Sequence, residues 1–587
     1  MSLNIIGVSA HFHDSACALL QDGKLVAAAS EERFSRRKFD PSTPVAAFRY
    51  CLREARLSIA DIDVLAYYED PHEKLQRQIW MNLPGLPRSP HVLRRLNPGG
   101  VERELRDKLG CECPIHIVKH HQAHAASSFY FSGYPESALL TVDGVGEWTT
   151  TTYGRASRKK GLEIFEEVQF PHSLGLFYST ITNYLGFAVN DGEYKVMGLA
   201  PYGQPRYVTQ MERLVESQAG GQYRLNLQYF DFSSLDRMYS RELETLLGHD
   251  ARVPGTELLP FHRDVARSAQ VVLERQLVDK ARYLHQQVGG DALCMAGGVA
   301  LNCVANRTIA REAPFKRIFV QPAAGDAGGA LGAAALAHAT VASGDTVGGT
   351  LDDVLLGPAY SHESICQLLQ AMQLNAVDFR GSEAALLSAT AERLARGDVV
   401  AWFHGRMEFG PRALGARSIL ADPRREDMRE RVNALVKRRE SFRPFAPAVL
   451  WSKAHEHFDI DHASPFMLET CQVTSPISLP AITHVDGSAR VQTVDPATSP
   501  RFAKLLEEFE RRTGCPILLN TSFNMKDDPI VCSPVDALIC FAKADIDTLV
   551  LEDFLIDRSQ VAGVRRDLFI QMPMQPSAIE HRIYTFV

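Results

Sequence analysis

Residues 3–30 read LNIIGVSAHFHDSACALLQDGKLVAAAS, and residues 137–153 read SALLTVDGVGEWTTTTY. In the first stretch an apolar run from Leu3 to Val8 stops at His11-Phe12-His13-Asp14. A second run covers Ser15 to Leu20, and Asp22-Gly23 turns the chain into a third at Leu25–Ala29. Short apolar runs broken by polar residues, with Asp-Gly between the last two, predict a strand, a loop and a tight hairpin. The second stretch repeats the plan, with a strand at Ala138–Val142, the loop Asp143-Gly144-Val145-Gly146, a strand at Trp148–Tyr153 and a return over Leu162–Val168. Each copy hangs polar residues on a loop between two strands of one hairpin. A unit that occurs twice predicts a duplicated domain whose loops carry the chemistry.

Two later signals extend this plan. The apolar run Ala292–Met295 leads into Ala296-Gly297-Gly298-Val299-Ala300-Leu301-Asn302, where glycines let backbone approach a planar or phosphorylated ligand. Gly325-Asp326-Ala327-Gly328-Gly329-Ala330 opens an Ala-rich run that predicts a packed helix, and a carboxylate with glycines at a helix start suits a phosphate or metal site. Actin, sugar kinases and heat-shock chaperones are built from such a duplicated unit, so residues 1–350 are expected to form an actin-like (ASKHA-type) α/β domain. Small and polar residues at Ser343–Thr350 mark the boundary, and residues 351–587 restart with mixed patterns expected of a second α/β domain.

Composition narrows the class. The chain has 587 residues, 45% hydrophobic and 23% charged, which excludes a disordered chain, a fibre and a coiled coil. A net charge of −7 gives no global attraction to nucleic acid or an anionic membrane. The 11 cysteines, an odd number without a CxxC pair, are expected to be buried small hydrophobes in a reducing compartment. The N-terminus lacks a basic region followed by a long apolar run, so a cytoplasmic protein is expected.

The strongest local pattern is His120-His121-Gln122-Ala123-His124. His120 and His124, four apart, share one face of a helix and can grip one metal, while His121 points elsewhere. Asp143 and Asp326, each in a Gly-rich loop after a strand, complete a nitrogen and oxygen set suited to iron, manganese or zinc. His13, in the first hairpin loop, is a candidate general base. Lys195, followed by Met197-Gly198, is expected beside a glycine turn where it could hold an anion. Farther on, Arg412 in Gly410-Pro411-Arg412 and Arg443 in Phe442-Arg443-Pro444-Phe445 have backbones restrained by proline, as buried anchors for phosphate oxygens would. Lys437 belongs to a charged helical stretch between them, and the run Asn520-Thr521-Ser522-Phe523-Asn524 supplies hydroxyls and amides after an apolar strand.

Together HFHDSACALLQDGKLVAAASEERFSRRK, HHQAHAASSFY, TVDGVGE, DGEYKVMGLAPYG, GGVALN, FGPRALGARSIL, FRPFAP and NTSFN resemble the O-carbamoyltransferases of the NodU/CmcH family, in order from His11 to Asn524. The resemblance implies an N-terminal transfer domain and a C-terminal YrdC-like domain that forms carbamoyl adenylate from carbamoyl phosphate and ATP. It implies that His120, His124, Asp143 and Asp326 bind a divalent metal, commonly iron(II), and that His13 deprotonates a hydroxyl of a small natural product. It further implies that Arg412, Lys437, Arg443 and Ser522 hold ATP, with its magnesium, and carbamoyl phosphate. Lys195, Gly297, Gly298 and Asn302 would then line the nucleotide in the transfer site.

Two rival readings share parts of this pattern. A small-molecule kinase of the actin-like superfamily would have the duplication but needs neither the HxxxH pair nor a second Arg-rich domain. An enzyme of the tRNA threonylcarbamoylation type would share both domains, but an acidic chain without a dense basic stripe argues against nucleic acid as partner. No membrane partner is expected, and the oligomeric state is left open. The acceptor is not legible either; Pro71–Glu102, rich in Leu, Pro and Arg, is either a wall of its pocket or a cover of the surface.

Overall fold

The computed structural model describes residues 2–82, 97–234, 236–342, 347–437, 440 and 442–561. Residues 83–96 of the candidate acceptor segment Pro71–Glu102 and half of the boundary stretch Ser343–Thr350 lie outside the described residues. The described residues divide into two compact units: one holds the chain up to Glu31 and Phe39–Leu351, the other Glu32–Lys38 together with the described residues from Asp352 to Val561. A single cut near residue 350 therefore misses one short excursion, in which seven residues after the first hairpin pack with the C-terminal half of the sequence.

In the first unit the duplication is visible in the topology. One sheet is built from β1 (Asn4–Ser9), β2 (Ala16–Gln21), β3 (Lys24–Ser30), β4 (Val64–Tyr67) and β5 (Ile115–Ile117), in the order β3-β2-β1-β4-β5. The other is built from β6 (Glu136–Val142), β7 (Thr149–Ser157), β8 (Gly161–Gln169), β9 (Ala292–Ala296) and β10 (Arg317–Val320), in the order β8-β7-β6-β9-β10. Both therefore run third, second, first, fourth, fifth. In both, the first three strands are antiparallel neighbours and the last two join parallel to the first. This is the actin-like, duplicated α/β fold expected from the paired hairpins.

Three helices set the functional geometry: α1 (His120–Phe129), α2 (Cys303–Glu312) and α3 (Asp326–Val341). The Ala and Gly content of α3 has a steric cause. A Cβ at Gly7 of β1 would stand 1.8 Å from Ala330 O, and one at Gly332 would stand 1.7 Å from Ala123 O. Backbone thus touches backbone across β1, α3 and α1, and any side chain at Gly7 or Gly332 would force these elements apart. That close packing brings the start of α3, with Asp326, beside the histidines of α1.

The second unit is a mixed eight-stranded sheet with helices packed on it. Its strands are β11 (Val377–Asp378), β12 (Val400–Phe403), β13 (Arg417–Ala421), β14 (Ala446–Leu450), β15 (Gln492–Val494), β16 (Ile517–Ser522), β17 (Thr548–Leu551) and β18 (Phe554–Asp557). They lie in the order β11-β18-β17-β12-β13-β16-β14-β15. The central strands are buried along their whole length and mostly apolar, with Arg417 and Ser418 at the start of β13 among the polar exceptions, as a sheet covered on both faces requires. All 11 cysteines are free thiols, and only Cys113 and Cys366 are not fully buried. No helix among the described residues is long and apolar enough to cross a membrane.

Candidate active site

The four predicted ligands converge. His120 and His124 stand one turn apart on α1, with their Nε2 atoms 3.0 Å from each other. Asp143 Oδ2 lies 3.0 Å from His120 Nε2 and 3.3 Å from His124 Nε2. Asp326 Oδ1 lies 3.7 and 3.8 Å from the same two nitrogens. One ligand atom from each residue falls within 4.8 Å of all the others. Both histidines and Asp326 are buried, and Asp143 is partly exposed at the end of β6.

Each of the two carboxylates is held by a neighbour that leaves its inward oxygen unused by the scaffold. Gly298 N donates to Asp143 Oδ1 at 2.9 Å, so Oδ2 faces the histidines. The Tyr68 hydroxyl donates to Asp326 Oδ2 at 3.3 Å, so Oδ1 faces them. Glu147 Oε1 accepts from the backbone N–H of His120 at 2.9 Å and of Asp70 at 2.8 Å, capping the helix start that carries the first histidine. Gly146 is required next to it, since a Cβ there would stand 2.9 Å from the His120 ring. Such outer contacts orient ligands and set their basicity.

The donor set fits a divalent cation. Two imidazole nitrogens 3.0 Å apart, both directed at one carboxylate oxygen, leave lone pairs opposed unless a cation or a proton lies among them. Two carboxylates held in this buried space add a negative field. Burial alone would lower the His120 pKa, but Asp143 and Asp326 outweigh it and carry it up to about 9. Burial likewise opposes ionisation of Asp143, yet its hydrogen bonds to His120 and His124 hold it well below the usual carboxylate range. Asp326 is pushed up by burial. The mixed nitrogen and oxygen set matches iron, manganese or zinc better than magnesium or calcium.

His13 sits on the β1–β2 loop, its Nδ1 3.0 Å from Asp14 Oδ2. His11 (φ 73°) and Asp14 (φ 53°) both take left-handed backbone there, so the loop is tightly bent around it. Burial would lower its pKa, but Asp326, Asp14 and Asp143 together raise it to about 9. The first hairpin loop therefore lies within the field of the carboxylate pair.

The other residues expected in this unit take varied places. Gly297 (φ 95°) passes so close to β6 that a Cβ would stand 2.3 Å from Val142 O, and Gly298 holds Asp143. Asn302 is built into the scaffold: its Oδ1 caps α2 by accepting from Ala305 N at 3.0 Å, and its amide pairs with Gln270. Lys195 stands on a helix, Glu193–Leu199, and not beside a glycine turn, because Gly198 continues the helical backbone. Its Nζ lies 5.9 Å from the Phe187 ring centroid. His121 bonds Thr141 Oγ1 at 2.6 Å, away from the ligand cluster.

In the second unit, register brings Arg412, Arg443 and Ser522, three of the four phosphate-site candidates, to neighbouring strand ends. Ser522 on β16 pairs with Ser418 on β13, and Asn520 pairs with Leu420 and with Ala446 of β14. The loop bearing Arg412, the strand end bearing Ser522 and the Arg443-Pro444-Phe445 segment therefore meet at adjacent strand ends. Asn520 Nδ2 donates to Ala413 O at 3.3 Å, and Gln492 Nε2 to Leu414 O at 2.8 Å. Arg443 Nη1 lies 3.7 Å from Glu440 Oε2, Ser522 Oγ donates to Asn524 Oδ1 at 2.6 Å, and Lys437 ends the helical stretch Asn433–Lys437. Arg417, from the same arginine-rich run, is structural. It is fully buried, donates to carbonyls of His404, Gly405, Ala416 and Pro358, and stacks 3.6 Å from the Phe403 ring centroid.

Tyr68, Glu147 and Glu408 were not legible as site residues. Glu408, 3% exposed, accepts through Oε1 from the backbone N–H groups of Leu414, Ala416 and Arg417, closing the Arg412 loop around one carboxylate oxygen. An acid just before a Gly-Pro loop was its one available signal.

Comparison with known proteins gives the family. Residues 4–335 match the carbamoyltransferase N-terminus family and residues 391–558 the carbamoyltransferase C-terminus family. An uncharacterized protein of Synechocystis is 42% identical over 600 residues, covering 95% of this chain and 97% of its own. The nodulation protein NolNO of Sinorhizobium fredii is 37% identical and covers 98% of this chain and 83% of its own. The 3'-hydroxymethylcephem-O-carbamoyltransferase of Amycolatopsis lactamdurans is 33% identical over 300 residues, 50% of this chain and 54% of its own. Among solved structures, a ROK hexokinase of Thermus thermophilus shows a faint likeness, with TM-score 0.31 at 17% identity over 58% of this chain and all of its own. Two family domains in their expected order and near full-length relatives place the chain, as an enzyme, in the carbamoyltransferase family.

Proposed function

We propose that the protein is an ATP-dependent O-carbamoyltransferase that carbamoylates a hydroxyl of a small natural product. The observation that carries this reading is the convergence of His120, His124, Asp143 and Asp326, each with one ligand atom facing a common centre. A small-molecule kinase has no need of such a set, and the family match selects carbamoyl transfer over phosphoryl transfer. The name of the cephem relative adds an acceptor that carries a hydroxymethyl group.

In this reading the second unit makes the activated carbamoyl group. Water releases phosphate from carbamoyl phosphate, and an oxygen of the resulting carbamate attacks the α-phosphorus of magnesium-bound ATP, displacing pyrophosphate and leaving carbamoyl adenylate. Arg412, Lys437 and Arg443 supply the positive charge for these phosphates, and Ser522 a hydroxyl donor. In the first unit the acceptor hydroxyl attacks the carbamoyl carbon, its proton passes to His13, and AMP leaves. His120, His124, Asp143 and Asp326 would hold a divalent metal, iron(II) first among the candidates, which supplies positive charge to offset the negative charge of the reacting groups. Gly297 and Gly298 let the nucleotide approach the backbone at the cluster, with Asn302 and Lys195 on the elements around it. Closure around the adenylate protects an intermediate that water would destroy.

Mass spectrometry tests the reading. Reactions with carbamoyl phosphate, ATP and a panel of hydroxylated metabolites should give an acceptor one carbamoyl group heavier, together with AMP and pyrophosphate. Phosphorylated acceptor with ADP would instead establish a kinase.

A further inference from the structure

The motif EERFSRRK follows the first hairpin, and neither the metal cluster nor the phosphate candidates use it. Its residues Glu32–Lys38 pack within the second unit, at three anchor points. Arg33 Nη2 donates to Gly410 O at 2.9 Å, while Arg33 Nη1 pairs with Glu32 Oε1 at 2.9 Å. Phe34 packs against Met407, Ile530 and Cys532. Arg36 donates to Ile530 O at 2.7 Å and Pro529 O at 2.6 Å, and its Nε lies 3.5 Å from Asp536 Oδ1. Arg33 is only 6% exposed, so its guanidinium is committed to these partners and is not a solvated surface charge.

The partner of Arg33 decides what the contact does. Gly410 has φ 124°, a backbone state that other residues adopt rarely, and it is followed by Pro411 and Arg412. The far end of the same loop is closed by Glu408 through the N–H groups of Leu414, Ala416 and Arg417. Its near end is closed by Arg33 on the Gly410 carbonyl. We propose that Arg33 is a positioning residue for carbamoyl-adenylate formation: supplied from the N-terminal sequence, it orients the Gly410–Pro411 peptide and so presents Arg412 to phosphate. This rests on the reading of Arg412 as a phosphate ligand. A charge-assisted hydrogen bond from a buried guanidinium to a carbonyl is among the stronger single contacts available to fix a peptide plane.

The test uses the full chain and separates the half-reactions. Carbamoyl-phosphate-dependent ATP–pyrophosphate exchange reads activation, and AMP release from chemically supplied carbamoyl adenylate reads transfer. A displacement of about 1 Å in a positioning contact costs about 10²-fold. Arg33→Ala should therefore lower exchange by roughly 10- to 100-fold, mainly as a raised KM for carbamoyl phosphate, and leave transfer unchanged. Arg33→Lys, which can still donate to one carbonyl, should recover part of the loss. Should Arg33→Ala fail to fold, Arg33→Gln is judged by the same split. Loss of exchange in Arg412→Ala with none in the Arg33 variants overturns the inference. Parallel loss of both half-reactions, with no recovery by lysine, also overturns it by reducing Arg33 to a folding contact. Exchange that survives in Arg412→Ala overturns the underlying reading of the loop instead.

Discussion

Gly298 and Asp143 are joined by one hydrogen bond that decides which carboxylate oxygen the histidines see. The Gly298 N–H takes Oδ1 at 2.9 Å, and Oδ2 is thereby left 3.0 Å from His120 Nε2 and 3.3 Å from His124 Nε2. A Cβ at Gly298 would stand 2.9 Å from that same Oδ1. Gly298→Ala should push the carboxylate aside and weaken metal binding by about 10- to 100-fold, the usual cost of a lost outer contact. Titration of the metal-free protein with manganese or zinc, followed by calorimetry, measures this. Unchanged affinity would show that the glycine serves the nucleotide alone.

Arg412 is expected to bind phosphate through two parallel N–H groups. Arg412→Lys keeps the charge and loses the fork, so ATP–pyrophosphate exchange should fall by about tenfold or more despite the conservative change. Supplied carbamoyl adenylate should restore full transfer in this variant. A folded variant that this does not rescue would remove Arg412 from activation.

His13 gives a pH prediction for the metal-free protein. Burial lowers its pKa, but Asp326, Asp14 and Asp143 lift it from 6.5 to about 9. A group raised in the folded state stabilises fully below its unfolded value. Its contribution should therefore be complete below pH 6.5 and be lost as pH rises through about 9. Urea unfolding of metal-free wild type and His13→Asn should show a stability difference that shrinks across this window. A difference independent of pH would mean that His13 only buttresses its loop. In the metal-loaded enzyme two of the three carboxylates that raise His13 are neutralised, which favours the neutral imidazole that a general base needs. Transfer by His13→Asn should then be about 10²- to 10⁴-fold slower than wild type at neutral pH.

Much of this site was legible because its parts are local. The hairpin with Asp22-Gly23, the four-residue spacing of His120 and His124, and the Gly-rich loops at Asp143 and Asp326 are short patterns with one strong physical reading each. What was not legible depends on residues far apart in sequence. Tyr68 reaches Asp326 across 258 positions and Arg33 reaches Gly410 across 377, and no periodicity or motif forecasts such a pairing. Lys195 differs for a local reason: in the sequence Met197-Gly198 reads as a turn, whereas the surrounding chain carries Gly198 inside a helix. Asn302 shows the converse, an amide that fits a ligand role by composition and is spent on capping α2 and pairing with Gln270.

The most direct test of the account is ATP–pyrophosphate exchange and carbamoyl transfer measured on the same preparation of His124→Ala. The variant removes one ligand from a cluster that lies wholly in the first unit, while Arg412, Arg443 and Ser522 lie in the second. The account predicts that metal content and transfer are lost while carbamoyl-phosphate-dependent exchange continues at the wild-type rate. Exchange lost together with transfer, in a folded protein, would contradict the division of the two steps between these two sites.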